Sequence, residues 1–169
     1  MIEIEKVAAK DGAKFEVVRT IAEETWPIAY GEILSTAQLE YMFDMMYSTT
    51  SLLEQAAKKN SQFLLAKEGN DYLGFASYEI DIHQTNKTKI HKIYILPETQ
   101  GKGIGKKLID YIADEAQKQK NIAIVLNVNK YNKALYFYLK LGFSNVKEEV
   151  IDIGNGYVMD DYVMEKMFE

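Results

Sequence analysis

The 169-residue sequence contains no cysteine. This absence excludes thiol catalysis, thiolate zinc sites and a disulfide framework, and it fits a reducing compartment. Proline is scarce, with Pro27 and Pro97 as its two examples, and no linker rich in serine, glycine or charge divides the chain. The sequence has no apolar run of membrane-spanning length, and its charged start lacks the apolar core of a signal peptide. We therefore expect one domain spanning residues 1–169, located in the cytoplasm.

Neither sign of charge dominates. The 20 Lys and Arg residues against 25 Asp and Glu residues give a net charge of −5. A mildly acidic surface repels nucleic acids and anionic membranes, so we expect neither as a partner. Hydrophobic residues make up 47% of the chain, which is enough for a core without disulfides or a structural metal ion. The composition thus predicts a globular protein in which any anion site is local.

Hydrophobic periodicity predicts an α/β protein with the element order βαα(α)βββαβαββ. After a first strand, the first third is helical. One helix over about 11–25 ends at Pro27, and a capping-box pattern, Ser35 to Gln38, opens the next. A change of period from 3.6 to 2 then predicts strands, which form a hairpin over 62–80 and a further strand over 87–96. After them we expect a helix over 104–119, a buried parallel strand at 122–126 and a short helix over 132–141 that ends at Gly142. The chain closes with a hairpin that turns at Asn155-Gly156. We expect a mixed sheet with helices on both faces.

The most informative segment is the glycine-rich connection from Gln100 to Lys107, which joins a strand to a helix. Glycines let the backbone approach a ligand closely, and free N–H groups at a helix start bind phosphate oxygens. Lys106 and Lys107 stand in the first helical turn, where the helix dipole disfavours cations. A bound pyrophosphate would explain them, and solvated surface lysines are the alternative. The segment lacks the spacing of a Walker loop and the third glycine of a Rossmann fingerprint.

The pattern Gln-x-x-Gly-x-Gly, here Gln100, Gly103 and Gly105, resembles the pyrophosphate loop of the GCN5-related N-acetyltransferase (GNAT) superfamily. Downstream, the segment 132–143 resembles the second family signature, in which an Asn and an Ala lead to Phe-Tyr and then Gly-Phe. Both signatures stand in the family order, covering about 93–143. The resemblance implies a GNAT-like fold, in which the central mixed sheet splays between its fourth and fifth strands. It also implies acetyl-CoA as the cofactor.

The resemblance further implies which residues contact acetyl-CoA. A main-chain N–H near Ile95 would stabilise the oxyanion. The expected cofactor-binding set is Ile93, Tyr94, Ile95, Gln100, Gly101, Lys102, Gly103, Ile104, Gly105, Lys106, Asn127, Asn132, Lys133 and Tyr138.

Three side chains are candidates for the chemistry. Tyr138 matches the family tyrosine that acts as general acid, and a phenol with a pKa of about 10 stays protonated at neutral pH; a core tyrosine is the alternative. Asn132 contacts the cofactor, caps the following helix, or does both. For the general base we consider His91, then Glu79, then water chains ending at backbone carbonyls. Strand alternation predicts that Lys89, His91 and Ile93 share a face.

The acceptor is expected to be a small cationic amine, acetylated directly in a ternary complex. Trp26 and Tyr30, in an expected loop between helices, are candidates for holding an ammonium group. Segments 41–48 and 160–166 resemble a bacterial branch that acetylates polyamines such as spermidine. The alternatives are a protein N-terminus or lysine as the acceptor, and a non-catalytic acyl-CoA sensor. Many family members are dimers, so a homodimer is among the expectations, although no segment identifies an interface.

Overall fold

Seven strands form one mixed sheet in the computed structural model, which describes all residues from Met1 to Glu169. The strands are β1 (Ile2–Val7), β2 (Gln62–Glu68), β3 (Asp71–Glu79), β4 (Lys87–Ile95), β5 (Ala123–Asn129), β6 (Ser144–Gly154) and β7 (Tyr157–Met167). Their order across the sheet is β1-β2-β3-β4-β5-β7-β6. All neighbours are antiparallel except β4 and β5. The predicted mixed sheet and its parallel pair are therefore confirmed.

Five helices cover the two faces of this sheet. They are α1 (Gly12–Tyr30), α2 (Thr36–Tyr47), α3 (Thr49–Ala57), α4 (Ile104–Lys118) and α5 (Ala134–Lys140). The apolar residues of α4 recur every four positions, so Ile104, Leu108 and Ile112 bury one stripe against one face. Helices α1 to α3 bury a second, aromatic cluster on the other face. None of the helices combines the length and hydropathy that a membrane crossing requires.

Helix α1 continues through Pro27, where the sequence predicted its end. The proline ring removes one helical N–H, normally at a cost of about 3 kcal/mol or more. The side chain of Trp26, which is 2% exposed, packs edge-on against Tyr30 and Tyr47, with ring centroids 5.1 and 5.2 Å away. This tertiary packing holds the last turn in place. The prediction of a loop at residues 26–31 was wrong because packing outweighs the local preference of proline.

Helix α2 is tied to the β6–β7 hairpin. The predicted N-cap is confirmed, since Ser35 Oγ accepts a hydrogen bond from the N–H of Gln38 at 3.1 Å. The Gln38 side chain does not complete the capping box. Its Nε2 donates instead to the carbonyl of Val158 on β7 at 2.9 Å, and Tyr41 Oη donates to the carbonyl of Ile153 on β6 at 2.8 Å. These bonds join α2 to the two strands at one edge of the sheet.

Two turns follow the sequence prediction. Asn155 and Gly156 both have positive φ angles, 55° and 79°, as a tight hairpin turn requires. Gly142, with φ of 96°, ends α5: its N–H bonds to the carbonyl of Leu139, and the N–H of Phe143 bonds to that of Tyr138, both at 3.1 Å. This pair of bonds is a Schellman motif.

Candidate active site

A cleft begins where β4 and β5 stop pairing. The parallel ladder runs from the Lys87–Ala123 pair to the Ile90–Leu126 pair and no further. Beyond it, β4 stays with β3 and β5 stays with β7, so the two strands diverge. Backbone groups on the facing edges have no strand partner and are available to a ligand. A cavity of about 1000 Å³ occupies the wedge, and the predicted splay is confirmed. We call it the cofactor cavity.

The glycine loop forms one end of the cofactor cavity. Gly101 and Gly103 have φ angles of 91° and 75°, and Gly103 is the N-cap of α4. A Cβ atom at either position would meet no neighbour within 4 Å, so glycine is required there by conformation and not by space. At Gly105 a Cβ would stand 2.9 Å from the Phe137 ring, so this glycine allows α5 to pack against the start of α4.

The same loop presents consecutive N–H groups toward a ligand. From Gly101 to Lys106 none of the main-chain N–H groups donates a hydrogen bond within the protein. Orphan donors at a helix start, together with the positive end of the helix dipole, make an anion site. The loop therefore fits the pyrophosphate of a coenzyme A thioester.

The loop lysines have protein partners as well. Lys106 Nζ lies 2.7 Å from Asp110 one turn further along α4, and Lys102 Nζ lies 3.8 Å from Glu68. These pairs are largely exposed, so they stabilise the fold little. They leave the lysines free to turn toward an anion. The N–H groups, rather than the lysines, are the preorganised part of the loop.

Residues of α5 and the turn before it line the opposite side of the cofactor cavity. Asn132 Oδ1 accepts a hydrogen bond from the N–H of Ala134, the first residue of α5, at 2.9 Å, although the N-cap position itself is occupied by Lys133. Lys133 borders the cavity beside it. Tyr138 is buried but lines the cavity, and its hydroxyl makes no hydrogen bond within the protein. Burial raises the pKa of Tyr138 above its ordinary value of 10.0, so the phenol is protonated at neutral pH.

A second cavity, of about 440 Å³, lies on the α1–α3 side of the same opening. We call it the acceptor cavity. Methionines of α2 and aromatic rings form its wall, and polar groups of β3, β4, β5 and β7 form its floor. Its wall includes Trp26, Leu34, Met42, Met45, Met46 and Tyr47. The two cavities share residues, among them Tyr30, Ile90 and Tyr94. They therefore meet at the point where β4 and β5 part.

Tyr30 and Trp26, the two aromatic residues predicted to bind the substrate, differ in how much of each ring reaches the cavities. Tyr30 lines both cavities, and its hydroxyl is 2.8 Å from that of Tyr94. Burial raises the pKa of both phenols, so both are protonated at neutral pH. Trp26 is the centre of the aromatic core and presents only part of its ring to the acceptor cavity. Tyr94, expected among the cofactor contacts, points its side chain toward α1.

His91 and Glu79, considered as rival bases, are hydrogen-bonded to each other. His91 Nε2 lies 3.1 Å from Glu79 Oε1. Burial lowers the pKa of His91 to about 4, although the hydrogen bond with Glu79 opposes the shift. The imidazole is therefore neutral at pH 7. Because Nε2–H donates to the carboxylate, Nδ1 is left as the atom that can accept a proton.

A β-bulge places this pair on the acceptor side. Ser77 of β3 pairs with Lys92 and Tyr78 with Ile90, so His91 is the extra residue without a partner. A bulge shifts the alternation of side chains by one position. Ile93 packs with the α4 cluster, while His91 lines the acceptor cavity. The prediction that His91 and Ile93 share a face was wrong for this reason.

Two polar groups of the acceptor cavity were not singled out as site residues by sequence reasoning. Lys92 Nζ donates to Gln55 Oε1 at 2.7 Å, and burial lowers the pKa of Lys92 to about 8. Asp161 of β7 is 1% exposed and lies near Asn127. Asn127, expected as a cofactor contact, donates its side-chain amide to Glu149 at 2.8 Å and to Asp161 at 3.3 Å. The sequence does carry a signal for Asp161: it is an acidic residue on the same strand face as the apolar residues Met159 and Val163 of β7.

Comparison with known proteins agrees with this geometry. The acetyltransferase (GNAT) domain family matches residues 32–165. A spermidine N(1)-acetyltransferase of Thermoplasma acidophilum is 30% identical over 174 residues, covering 99% of this chain and 98% of that protein. The crystal structure of a PaiA N-acetyltransferase from Thermoplasma acidophilum, in complex with coenzyme A, aligns with a TM-score of 0.80 at 27% identity over 99% of both chains.

More distant structures share the fold. The ribosomal-protein-S18-alanine N-acetyltransferase of Escherichia coli aligns with a TM-score of 0.70 at 15% identity, over 99% of this chain and 94% of that one. The family match spans the glycine loop, the sheet opening and α5. This chain belongs to the GNAT acetyltransferase family and is an acetyl-CoA-dependent N-acetyltransferase.

Proposed function

We propose that this enzyme acetylates a primary amine of a small, polyamine-like cation by direct transfer within a ternary complex. The acceptor cavity carries the proposal, because it meets the cofactor cavity at the sheet opening. An amine entering from the α1–α3 side and a thioester lying in the wedge would reach the same point. The similarity to a spermidine N(1)-acetyltransferase supports the choice of acceptor.

The contacts between α2 and the β6–β7 hairpin favour a small acceptor. A peptide substrate needs an open groove in which its backbone can lie. Here the hydrogen bonds from Gln38 to Val158 and from Tyr41 to Ile153 join α2 to the hairpin. The Tyr41 ring also packs against Tyr157, with centroids 5.4 Å apart. The wall of methionines beyond these contacts suits the methylene groups of an aliphatic amine.

The cofactor would be held mainly by main-chain groups. The N–H groups from Gly101 to Lys106 would bind the pyrophosphate, and the unpaired edges of β4 and β5 would bind the pantetheine. Acetyl-CoA supplies the activated acetyl group when bound. A main-chain N–H near Ile95 is the proposed donor to the acyl oxygen, where it would stabilise developing negative charge.

His91 is the proposed general base and Tyr138 the proposed general acid. The amine must lose a proton before it can attack, and His91 Nδ1 is a neutral acceptor held by Glu79 on the acceptor side. Tyr138 lines the cofactor cavity as a protonated phenol whose hydroxyl is free to donate to the leaving thiolate. Tyr138 lines the cofactor cavity and His91 lines both cavities, which supports these two proposed roles.

Thiol release from acetyl-CoA over a panel of amines tests the proposal. The panel contains spermidine, putrescine, arylalkylamines, and peptides with a free N-terminus or lysine. We expect kcat/KM for the best polyamine to exceed that for any peptide by about tenfold or more, since the hydrogen bonds between α2 and the β6–β7 hairpin restrict the room for a peptide backbone. A peptide as the preferred acceptor would overturn the proposal in favour of protein acetylation.

A second candidate acceptor carries an anionic group beside its amine, as an amino acid does. It is favoured by Lys59, Lys89 and Lys92, all of which line the acceptor cavity. The same panel, extended with free amino acids, separates the two candidates. The cytoplasmic location and the homodimer stay predictions.

A further inference from the structure

A buried carboxylate in the acceptor cavity has no cationic partner. Asp161 is 1% exposed and lines the cavity floor. Its Oδ2 is 3.3 Å from Asn127 Nδ2, while its Oδ1 has no hydrogen-bond partner at all. Burying a charge without a counter-charge is costly, so such groups are normally paired. We propose that Asp161 binds a second, non-reacting ammonium group of a polyamine acceptor, an inference that rests on the proposed function.

The other carboxylates around Asp161 have cations of their own. Asp160 Oδ1 lies 2.9 Å from Lys130 Nζ, and Glu149 Oε1 lies 3.8 Å from Lys147 Nζ. Lys89 lines the same cavity and its positive charge acts on Asp161, but the two residues form no ion pair. Asn127 stands between Glu149 and Asp161 and donates to both, which holds the two carboxylates close together at this corner of the cavity. Of Asp160, Asp161 and Glu149, Asp161 is the one without an ion pair.

Asp161 lies close to the point where β4 and β5 diverge. Asn127 is the first residue of β5 beyond the last β4–β5 pair, and Asp161 pairs in register with Asn129 two residues further on. Asp161 is also close enough to Tyr30 for its charge to add to the effect of burial in raising the pKa of that phenol. It therefore lies beside the junction of the two cavities.

The reacting nitrogen must become neutral to attack an acyl carbon, whereas a second amine can stay charged throughout. An ionised carboxylate stabilises the charged form of a bound amine and would oppose its deprotonation. Asp161 is accordingly suited to the second ammonium, and it would select diamines and longer polyamines over monoamines. The methionines of α2 would contact the methylene chain between the two nitrogens.

The test compares amines that differ only in this ammonium. Putrescine and n-pentylamine have the same length, and a terminal methyl group of the second replaces an ammonium group of the first. Initial rates are measured for putrescine, spermidine and n-pentylamine with wild type, Asp161→Asn and Asp160→Asn. Asp160→Asn is the matched control, because it makes the same change at the neighbouring position, where the carboxylate is paired with Lys130.

For wild type we expect kcat/KM for the better polyamine to exceed that for n-pentylamine by about tenfold or more, as a charge-assisted hydrogen bond provides. In Asp161→Asn this preference falls to about onefold to threefold, while KM for acetyl-CoA changes less than about twofold. Asp160→Asn keeps the wild-type preference. The melting temperature of Asp161→Asn is expected at or above that of wild type, since an unpaired buried charge is removed.

Three results would overturn the assignment. One is a wild-type enzyme that acetylates polyamines without preferring them to n-pentylamine, a result that needs no variant. Another is an unchanged preference in folded Asp161→Asn. The last is an equal loss in Asp160→Asn. Each of these leaves the proposed function standing, whereas wild type with no polyamine activity would overturn both proposals together.

Discussion

The two cavities that meet at the sheet opening are built by different means. The cofactor cavity depends mainly on main-chain groups, those of the glycine loop between β4 and α4 and those of the unpaired edges of β4 and β5. The acceptor cavity depends on side chains from α1, α2, α3, β3, β4, β5, β6 and β7, which tertiary packing brings together. A main-chain site requires a short local pattern of residues, and the sequence displays this pattern directly. A side-chain site built from eight elements displays no such pattern.

The largest effect is expected from a substitution in the glycine loop of the cofactor cavity. Gly103→Asp places a side chain at a φ of 75° and a negative charge among the N–H groups that are proposed to bind the pyrophosphate. Strain and like-charge repulsion together should weaken acetyl-CoA binding about a thousandfold, measured by calorimetry. Gly156→Asp, at a φ of 79° in the β6–β7 turn, is the matched control and should bind acetyl-CoA like wild type. Wild-type affinity in Gly103→Asp would mean that the pyrophosphate lies elsewhere.

A smaller effect separates binding from chemistry within the cofactor cavity. Tyr138→Phe should lower kcat about a hundredfold, the range of general acid catalysis, while the affinity for acetyl-CoA stays within about twofold. Tyr136→Phe, on the exposed side of the same helix, controls for the loss of a hydroxyl on α5. Stopped-flow thiol release and equilibrium binding measure the two quantities. Lost affinity with intact turnover would assign Tyr138 to binding instead.

On the acceptor side, protonation of His91 should change the free energy of unfolding. The pKa of His91 falls from 6.5 to about 4 on folding, chiefly through burial. Between these values the unfolded chain binds the proton that the folded chain does not, so His91 destabilises the fold as pH falls through this window. Between about pH 7 and pH 5, wild type should lose about 1 kcal/mol more free energy of unfolding than His91→Gln. Urea unfolding measures the difference, and identical pH dependence would refute an imidazole that stays neutral in the folded state.

The smallest effect concerns the link between α2 and the hairpin. Tyr41→Phe removes the hydrogen bond to the carbonyl of Ile153 and keeps the ring packed against Tyr157. We expect KM for the acceptor to rise about threefold, in line with about 0.5–1.5 kcal/mol for one hydrogen bond, and KM for acetyl-CoA to stay constant. Steady-state kinetics in both substrates would show it. A rise in both KM values would mean that the hairpin shapes the cofactor cavity too.

Prediction from the sequence succeeded where local chemistry decides the outcome. The turn at Asn155-Gly156, the helix end at Gly142 and the cap at Ser35 each depend on a preference of one or two residues for a backbone conformation or hydrogen bond. It failed at Pro27, because the packing of Trp26 outweighs the preference of proline to end a helix. It also failed at His91, where a bulge that depends on the pairing of two strands changes the face on which a side chain lies.

By itself the sequence determined the order of elements, the parallel strand pair and the glycine loop at the start of α4, because periodicity and glycine positions act over a few neighbouring residues. Only the tertiary structure decided that His91 and Glu79 form one pair, that Tyr30 and Tyr94 meet at the junction of the cavities, and that Asp161 is buried without a cation. The physical reason is distance along the chain. Contacts between residues many positions apart form only when the sheet and the helices pack, and no local preference encodes them.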